Sequence, residues 1–316
     1  MFPQLNLGFV ILPSYSVMVA LGFLSLILLI IYISEKKEKK SVAITNRLLL
    51  ISIAGFAVLV IFAYIMDGIF HSIEKGRLSF GGITWLGGVV WAFPFVLFAI
   101  NKFVAIEKGE SLSYFNIIIP ALCFAHGFGR IGCFLGGCCF GKVTNSIFGV
   151  RFPEGSLAAT FYPAADGGSL PVLPTQLFES IFEFCMGIFF LVFYKKTRNR
   201  SLEIYCFAYG VFRFILEFLR GDDRGQTGFF LSPSQFMCFI LIAYGVLVIL
   251  YKKQIIFKNY CPKKTQFKNK LFVKNDNKTR ADDIVGAIEG LKKLMDEGLI
   301  SAEEFEEKKK ELLSRL

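Results

Sequence analysis

Residues 115–141 read FNIIIPALCFAHGFGRIGCFLGGCCFG. An apolar run passes directly into one His, one Arg and three Cys, set among six Gly between His126 and Gly141. An unpaired charge in hydrocarbon costs at least ~3 kcal/mol on insertion scales, so Arg130 needs a use there. Glycines let backbone N–H groups come close to a ligand. Arg has the side chain best shaped to hold a phosphate by two parallel hydrogen bonds. The stretch predicts a site for a phosphate headgroup at a membrane surface.

The flanking sequence supplies the membrane. The chain has 316 residues, 54% of them apolar, and a mean hydropathy of +0.56. Crossing a bilayer takes roughly 20 apolar residues, and seven runs meet that need: 14–34, 45–66, 83–106, 115–132, 175–195, 202–220 and 232–251. Pro120, His126 and Arg130 interrupt the fourth. The expected fold is all-α: a polytopic membrane protein of about seven spans, followed by a short helical hairpin.

Basic loops orient it. Glu-Lys-Lys-Glu-Lys-Lys (35–40), Lys102 with Lys108, Lys-Lys-Thr-Arg-Asn-Arg (195–200) and a Lys-rich tail follow spans one, three, five and seven. Alternate loops share one side, and the positive-inside rule makes it cytoplasmic. The N-terminus is then outside, as are the loops 67–82, 133–174 and 221–231. Met1 to Leu12 lacks the basic n-region of a cleaved signal peptide, and no Ala-x-Ala-like site follows span one. The net charge of +10 lies largely in the cytoplasmic segments, which suits topology and anionic lipid rather than nucleic acid.

The chain divides into a membrane domain (1–252), a basic linker (253–281) and a helical hairpin (282–316). In the last segment Ile284, Ile288, Leu291, Leu294 and Met295 recur at helical spacing. Gly298 suits a helix stop, and Ser301 with Glu304 has capping-box spacing. This hairpin resembles the short C-terminal module called SHOCT. It is too small to bury a core alone, which predicts self-association or a protein partner.

Eight cysteines are present. Cys123, Cys185, Cys206 and Cys238 fall within spans as small core residues, and Cys261 lies in the tail. For Cys133, Cys138 and Cys139 three readings stay open: packing residues, a disulfide on an oxidising face, or a metal site with His126. The spacing lacks the Cys-x-x-Cys of strong zinc motifs, so no metal is expected. Leu135-Gly136-Gly137-Cys138 has the look of a lipidation box, but it is internal.

Five motifs in order carry a wider resemblance. They are Tyr15 with Met18 and Gly22-Phe23; the pairs Gly81-Gly82 and Gly87-Gly88; Arg130, Gly132 and Gly141; Pro174, Gln176, Leu177 and Glu179; and Tyr209, Arg213, Glu217 and Arg220. Over residues 10–252 the chain resembles the prolipoprotein diacylglyceryl transferase family, integral enzymes of the bacterial cytoplasmic membrane. The resemblance implies transfer of the diacylglyceryl group of phosphatidylglycerol to a lipobox cysteine thiol. A thioether forms, glycerol phosphate leaves, and no metal or soluble cofactor is needed.

On that basis the expected catalytic residues are His126, Arg130, Tyr209, Arg213 and Tyr15. Phosphatidylglycerol would be held by Arg130, Gly132, Gly141, Arg213, Glu217, Arg220 and Gln176. Tyr209, Arg213, Glu217 and Arg220 recur three or four apart and should line one helix face. The family's pattern is broken at several places. Its histidine between the glycine pairs is Leu86 here. The asparagine after the signature Arg is Cys133, an acidic position is Cys138, and the histidine opening the Pro-x-Gln motif is Leu173. His126, four residues before Arg130, is the candidate replacement base. A structural histidine bonded to a backbone carbonyl is the competing reading. His71 reads as an outward surface residue. The departures also leave room for a different acceptor, or for a non-catalytic lipid-binding scaffold.

Overall fold

The computed structural model describes residues 4–6, 8, 11–105, 110–223, 225 and 227–253, together with Lys292 and Glu306. The chain forms two compact units, Met1–Cys261 and Pro262–Leu316. The first holds the membrane helices. The expected hairpin and most of the linker lie outside the described residues.

A short antiparallel pair, β1 (Gln4–Asn6) and β2 (Ile11–Pro13), leads into α1 (Ser14–Ile31), which continues as a π-helical turn to Lys37. Then come α2 (Val42–Lys75), α3 (Trp85–Phe103), α4 (Phe115–Leu135), the short α5 (Leu157–Phe161), α6 (Thr175–Val192), the one-turn α7 (Tyr194–Thr197), α8 (Ser201–Glu217) and α9 (Pro233–Lys252). Local sequence sets the ends. Ser41 caps α2 by accepting from Ile44 N, and Gly76 at φ 62° stops it in the left-handed conformation. Ser232, Pro233 and Gln235 start α9 with a full capping box.

Six of these helices are long and apolar enough to cross a membrane. The expected seventh span is α8, at 17 residues and with Glu203, Arg213 and Glu217 buried along it. An apolar belt including Leu28, Leu50, Ile61, Ile181 and Val192 is more than half exposed. Such a surface needs lipid around it. The all-α polytopic membrane fold expected from sequence is the one observed.

Two boundaries differ from expectation. α4 runs unbroken through Pro120, His126 and Arg130, because α6 supplies polar partners for the last two. α2 continues past residue 66 to Lys75, so Asp67 and His71 belong to a helix and not to a loop. At 34 residues it is about 50 Å long by helical rise.

The helices pack chiefly as α1 on α4, α2 on α3, α4 on α6 and α8 on α9. Beyond α4, residues 136–174 fold over the end of the bundle. Phe140, Phe152, Ala158 and Val172 form a small core of their own there.

Candidate active site

A cavity of about 630 Å³ runs between α1, α2, α3 and α4. Phe23, Leu26, Phe56, Phe93 and Val96 give it an apolar wall, and polar groups gather in two places. One holds Arg130, His126 and the three cysteines that follow. The other holds His71, Asp67 and the loop residue Asp223.

At the first place, Glu179 is the hub. Its Oε1 accepts from Arg130 Nη2 at 3.0 Å and from the Tyr209 hydroxyl at 2.7 Å, and Arg213 Nε lies 3.8 Å away. Glu179 is fully buried, and α6 presents it one turn before Glu183. Glu183 Oε1 accepts from His126 Nδ1 at 2.9 Å and from the Tyr205 hydroxyl at 3.1 Å. His126 Nε2 in turn accepts from Arg130 Nε at 3.2 Å. These partners fix a neutral tautomer with the proton on Nδ1. The lone pair of Nε2 is already occupied. Among the described residues Arg130 Nη1 has no protein partner, and Arg130 lines the cavity. Trp85 stacks on His126 at 4.9 Å and holds the ring.

At the second place, His71 is 2% exposed, which corrects its reading as a surface residue. Its Nδ1 donates to the Asp67 carbonyl at 3.0 Å and lies 3.3 Å from Asp67 Oδ2. Both partners are acceptors, so Nδ1 carries a proton, and in the neutral ring Nε2 carries the lone pair. Asp223 Oδ2 is 3.9 Å from Nε2, beyond hydrogen-bond reach. Asp67 Oδ2 also accepts from the backbone N–H groups of Gly81 (2.8 Å) and Gly82 (2.7 Å). A Cβ at Gly81 would collide with His71 Nε2. The lack of a side chain at Gly81 leaves that nitrogen its room.

The remaining expected residues divide. Tyr15 is half-exposed and lines the cavity. Tyr209, Arg213 and Glu217 share a buried face of α8, as expected, while Arg220 lies past the helix end. None of these four lines the cavity. Tyr209 gives its hydroxyl to Glu179. Arg213 pairs with Glu217 at 2.6 Å and donates to Ser234 at 3.1 Å. Arg220 is gripped by Asp222 at 2.8 and 2.7 Å. Their positive charge is spent on carboxylates inside the protein. Gln176 donates to the Cys138 carbonyl at 2.6 Å and positions that loop. Gly132 packs on Tyr15 and Met18. Gly141 lies where a Cβ would meet Leu219 O and Leu173 at 2.7–2.8 Å, so it serves a close backbone crossing rather than the cavity. Leu86 is buried in the core, and its neighbour Trp85 takes the cavity side.

Cys133, Cys138 and Cys139 line the cavity, and no disulfide joins them. For Cys138, the hydrogen bond with Cys133 pulls its pKa down, but the one with Cys139 and burial outweigh it and push the thiol up to about 12.

Glu183 and Asp67 are not among the site residues expected from the sequence, which reads His71 as surface. Glu179 and Glu183 stand four apart in an otherwise apolar span. That spacing was a readable sign of partners for Arg130.

The family model for prolipoprotein diacylglyceryl transferase matches residues 4–251. This chain belongs to that family. Within the diacylglyceryl transferase family, it is 33% identical over 246 residues to phosphatidylglycerol–prolipoprotein diacylglyceryl transferase 2 of Clostridium perfringens, covering 74% of this chain and 89% of that one. The transferase of Clostridium tetani is 32% identical, with 74% and 91% covered. That of Dehalococcoides mccartyi is 25% identical over 253 residues, with 79% and 92% covered. The short C-terminal domain model, SHOCT, matches residues 287–313.

Proposed function

We propose that this protein transfers the diacylglyceryl group of phosphatidylglycerol to the cysteine thiol of a prolipoprotein signal peptide, with Arg130 gripping the phosphate. The observation that carries this reading is Arg130 itself. It is buried at the cavity wall, with Nε and Nη2 tied down and Nη1 without a hydrogen-bond partner among the described residues. The apolar wall suits the acyl chains.

In the step, the acceptor sulfur attacks the glyceryl carbon that bears the phosphate ester. A C–S bond forms, the C–O bond breaks, and the electron pair leaves on glycerol phosphate. Charge grows on the departing phosphate, where a prepositioned guanidinium acts most strongly. The thiol proton goes to a base. His126 has spent its lone pair on Arg130, so we assign it the work of aiming the guanidinium. His71, with Nε2 open at the same cavity, is the proton acceptor. Tyr15 stands at the cavity as a further hydroxyl donor.

The same reading places the enzyme in the bacterial cytoplasmic membrane, with the Lys-rich tail inside and the site at the outer end of the bundle. A reporter fused after Leu316 should be active in the cytoplasm.

The test of the activity is direct. Purified protein is given phosphatidylglycerol labelled in its acyl chains and a lipobox peptide. Label should appear on the peptide cysteine with stoichiometric glycerol phosphate. Label on a peptide whose cysteine is replaced by serine, or none on either, would overturn the assignment.

A further inference from the structure

We propose that Cys133, Cys138 and Cys139 form a three-thiolate site for a thiophilic closed-shell cation, Zn(II) or Cu(I), whose open coordination position faces the cavity. The three sulfur atoms all lie within 4.8 Å of one another. A cation bonded to each at about 2.3 Å would set them roughly 4 Å apart, so little movement is needed. Soft thiolates select these two ions over Mg(II) or Ca(II).

The loop is built to hold this arrangement. Cys133 lies in the last turn of α4, and Cys138 N donates back to its carbonyl at 3.1 Å. α6 then clamps the following residues from the other side. Gln176 Nε2 donates to Cys138 O at 2.6 Å, and Thr175 Oγ1 donates to Cys139 O at 2.9 Å. Cys139 itself sits at φ +62°, a conformation side chains other than glycine rarely take. Non-glycine residues are kept in it where the surroundings fix them, often at functional sites. The sulfurs come from the end of a helix and from a strained turn, and they gather within 4.8 Å of one another.

Charge favours the same conclusion. Three thiolates around Zn(II) carry a net −1, and around Cu(I) −2. Arg130 lies within electrostatic range of Cys133 and Cys139. Arg220 lies within electrostatic range of Cys139, is 6% exposed, and keeps its Nη1 without a hydrogen-bond partner among the described residues. An anionic metal–thiolate cluster would add to the carboxylates, Glu179 and Asp222, that already pair with these two cations. On binding, the thiols release their protons to solvent and no electron is transferred.

The experiment uses the full chain in detergent under reductant. It is equilibrated separately with Zn(II), with Co(II) as a spectroscopic stand-in, and with Cu(I) buffered by a chelator. One equivalent of Zn(II) or Cu(I) should survive gel filtration, and Co(II) should give sulfur-to-metal charge-transfer absorption. Cys133→Ser, Cys138→Ser and Cys139→Ser should each lose the bound ion, while Cys185→Ser should keep it. A second readout needs no variant. Loading should slow alkylation of peptides carrying Cys133, Cys138 and Cys139 at least tenfold, and leave Cys185 unchanged. Three results would overturn the site: no retained ion, an equal stoichiometry in the serine variants, or a disulfide between two of the three in protein trapped from membranes. Equal stoichiometry would move the ion to another group, such as His71, Glu74 and Asp223. The test does not depend on transfer activity, so it stands or falls apart from the proposed function.

Discussion

Two buried histidines look into the same cavity, and their neighbours give them opposite chemistry. His126 donates from Nδ1 to Glu183 and accepts at Nε2 from Arg130. Both nitrogens are engaged. His71 donates from Nδ1 to Asp67 and leaves Nε2 open, since Asp223 is 3.9 Å away. The first can aim a guanidinium and the second can take a proton. Proximity to the signature Arg made His126 the obvious base in the sequence, and that same proximity is what occupies its lone pair.

The largest break in this picture comes from the hub. Glu179→Ala removes the carboxylate shared by Arg130 and Arg213 and leaves buried charge uncompensated. Breaking such a pair costs about 3–5 kcal/mol. The variant should unfold at lower temperature in detergent and yield little protein. A parental melting curve would mean that the arginines find other partners.

Arg130→Lys comes next. A point charge cannot keep Nε on His126 and Nη2 on Glu179 while offering a third N–H to phosphate. Turnover should fall roughly a hundredfold or more. Near-parental turnover would remove the grip from Arg130.

His126 separates positioning from base chemistry. His126→Ala should cost about a hundredfold through misplacement of the guanidinium. His126→Gln, whose amide oxygen can accept from Arg130 Nε, should recover most of that. If alanine and glutamine are equally poor, the imidazole itself is needed.

Gln176→Ala should have the smallest effect. It frees the Cys138 carbonyl and loosens the loop by about 1–2 kcal/mol, the cost of one buried acceptor left unmade. Thiol alkylation at Cys138 should speed up with little change in melting.

How far the sequence could be read follows from what sets each feature. Span positions depend on hydropathy and charge along the chain, which is why α1, α3, α6 and α9 lie close to the runs marked for them. The length of α2 does not, because its last turns are held by Asp67, which binds the Gly81-Gly82 turn fourteen residues on. Arg130 was legible because a charge in an apolar run needs a reason. Tyr209, Arg213 and Glu217 were legible as one face, but their partners were not. Whether an arginine meets a phosphate or a carboxylate depends on which helix packs against it. The gathering of Cys133, Cys138 and Cys139 depends on a turn with two left-handed residues, Gly137 and Cys139, which spacing alone does not reveal.

The division of labour between the histidines is tested most directly by the pH dependence of single-turnover transfer in His71→Gln, beside His126→Gln and the parent. A free acceptor thiol has a pKa near ~8.5, so without a base the rate follows the thiolate fraction and climbs about tenfold per pH unit below that value. His71→Gln should lose about a hundredfold at neutral pH, in line with loss of a general base, and should regain it along that slope. His126→Gln should keep the parental profile at every pH. A parental rate for His71→Gln at neutral pH, or the rising slope in His126→Gln instead, would contradict the account.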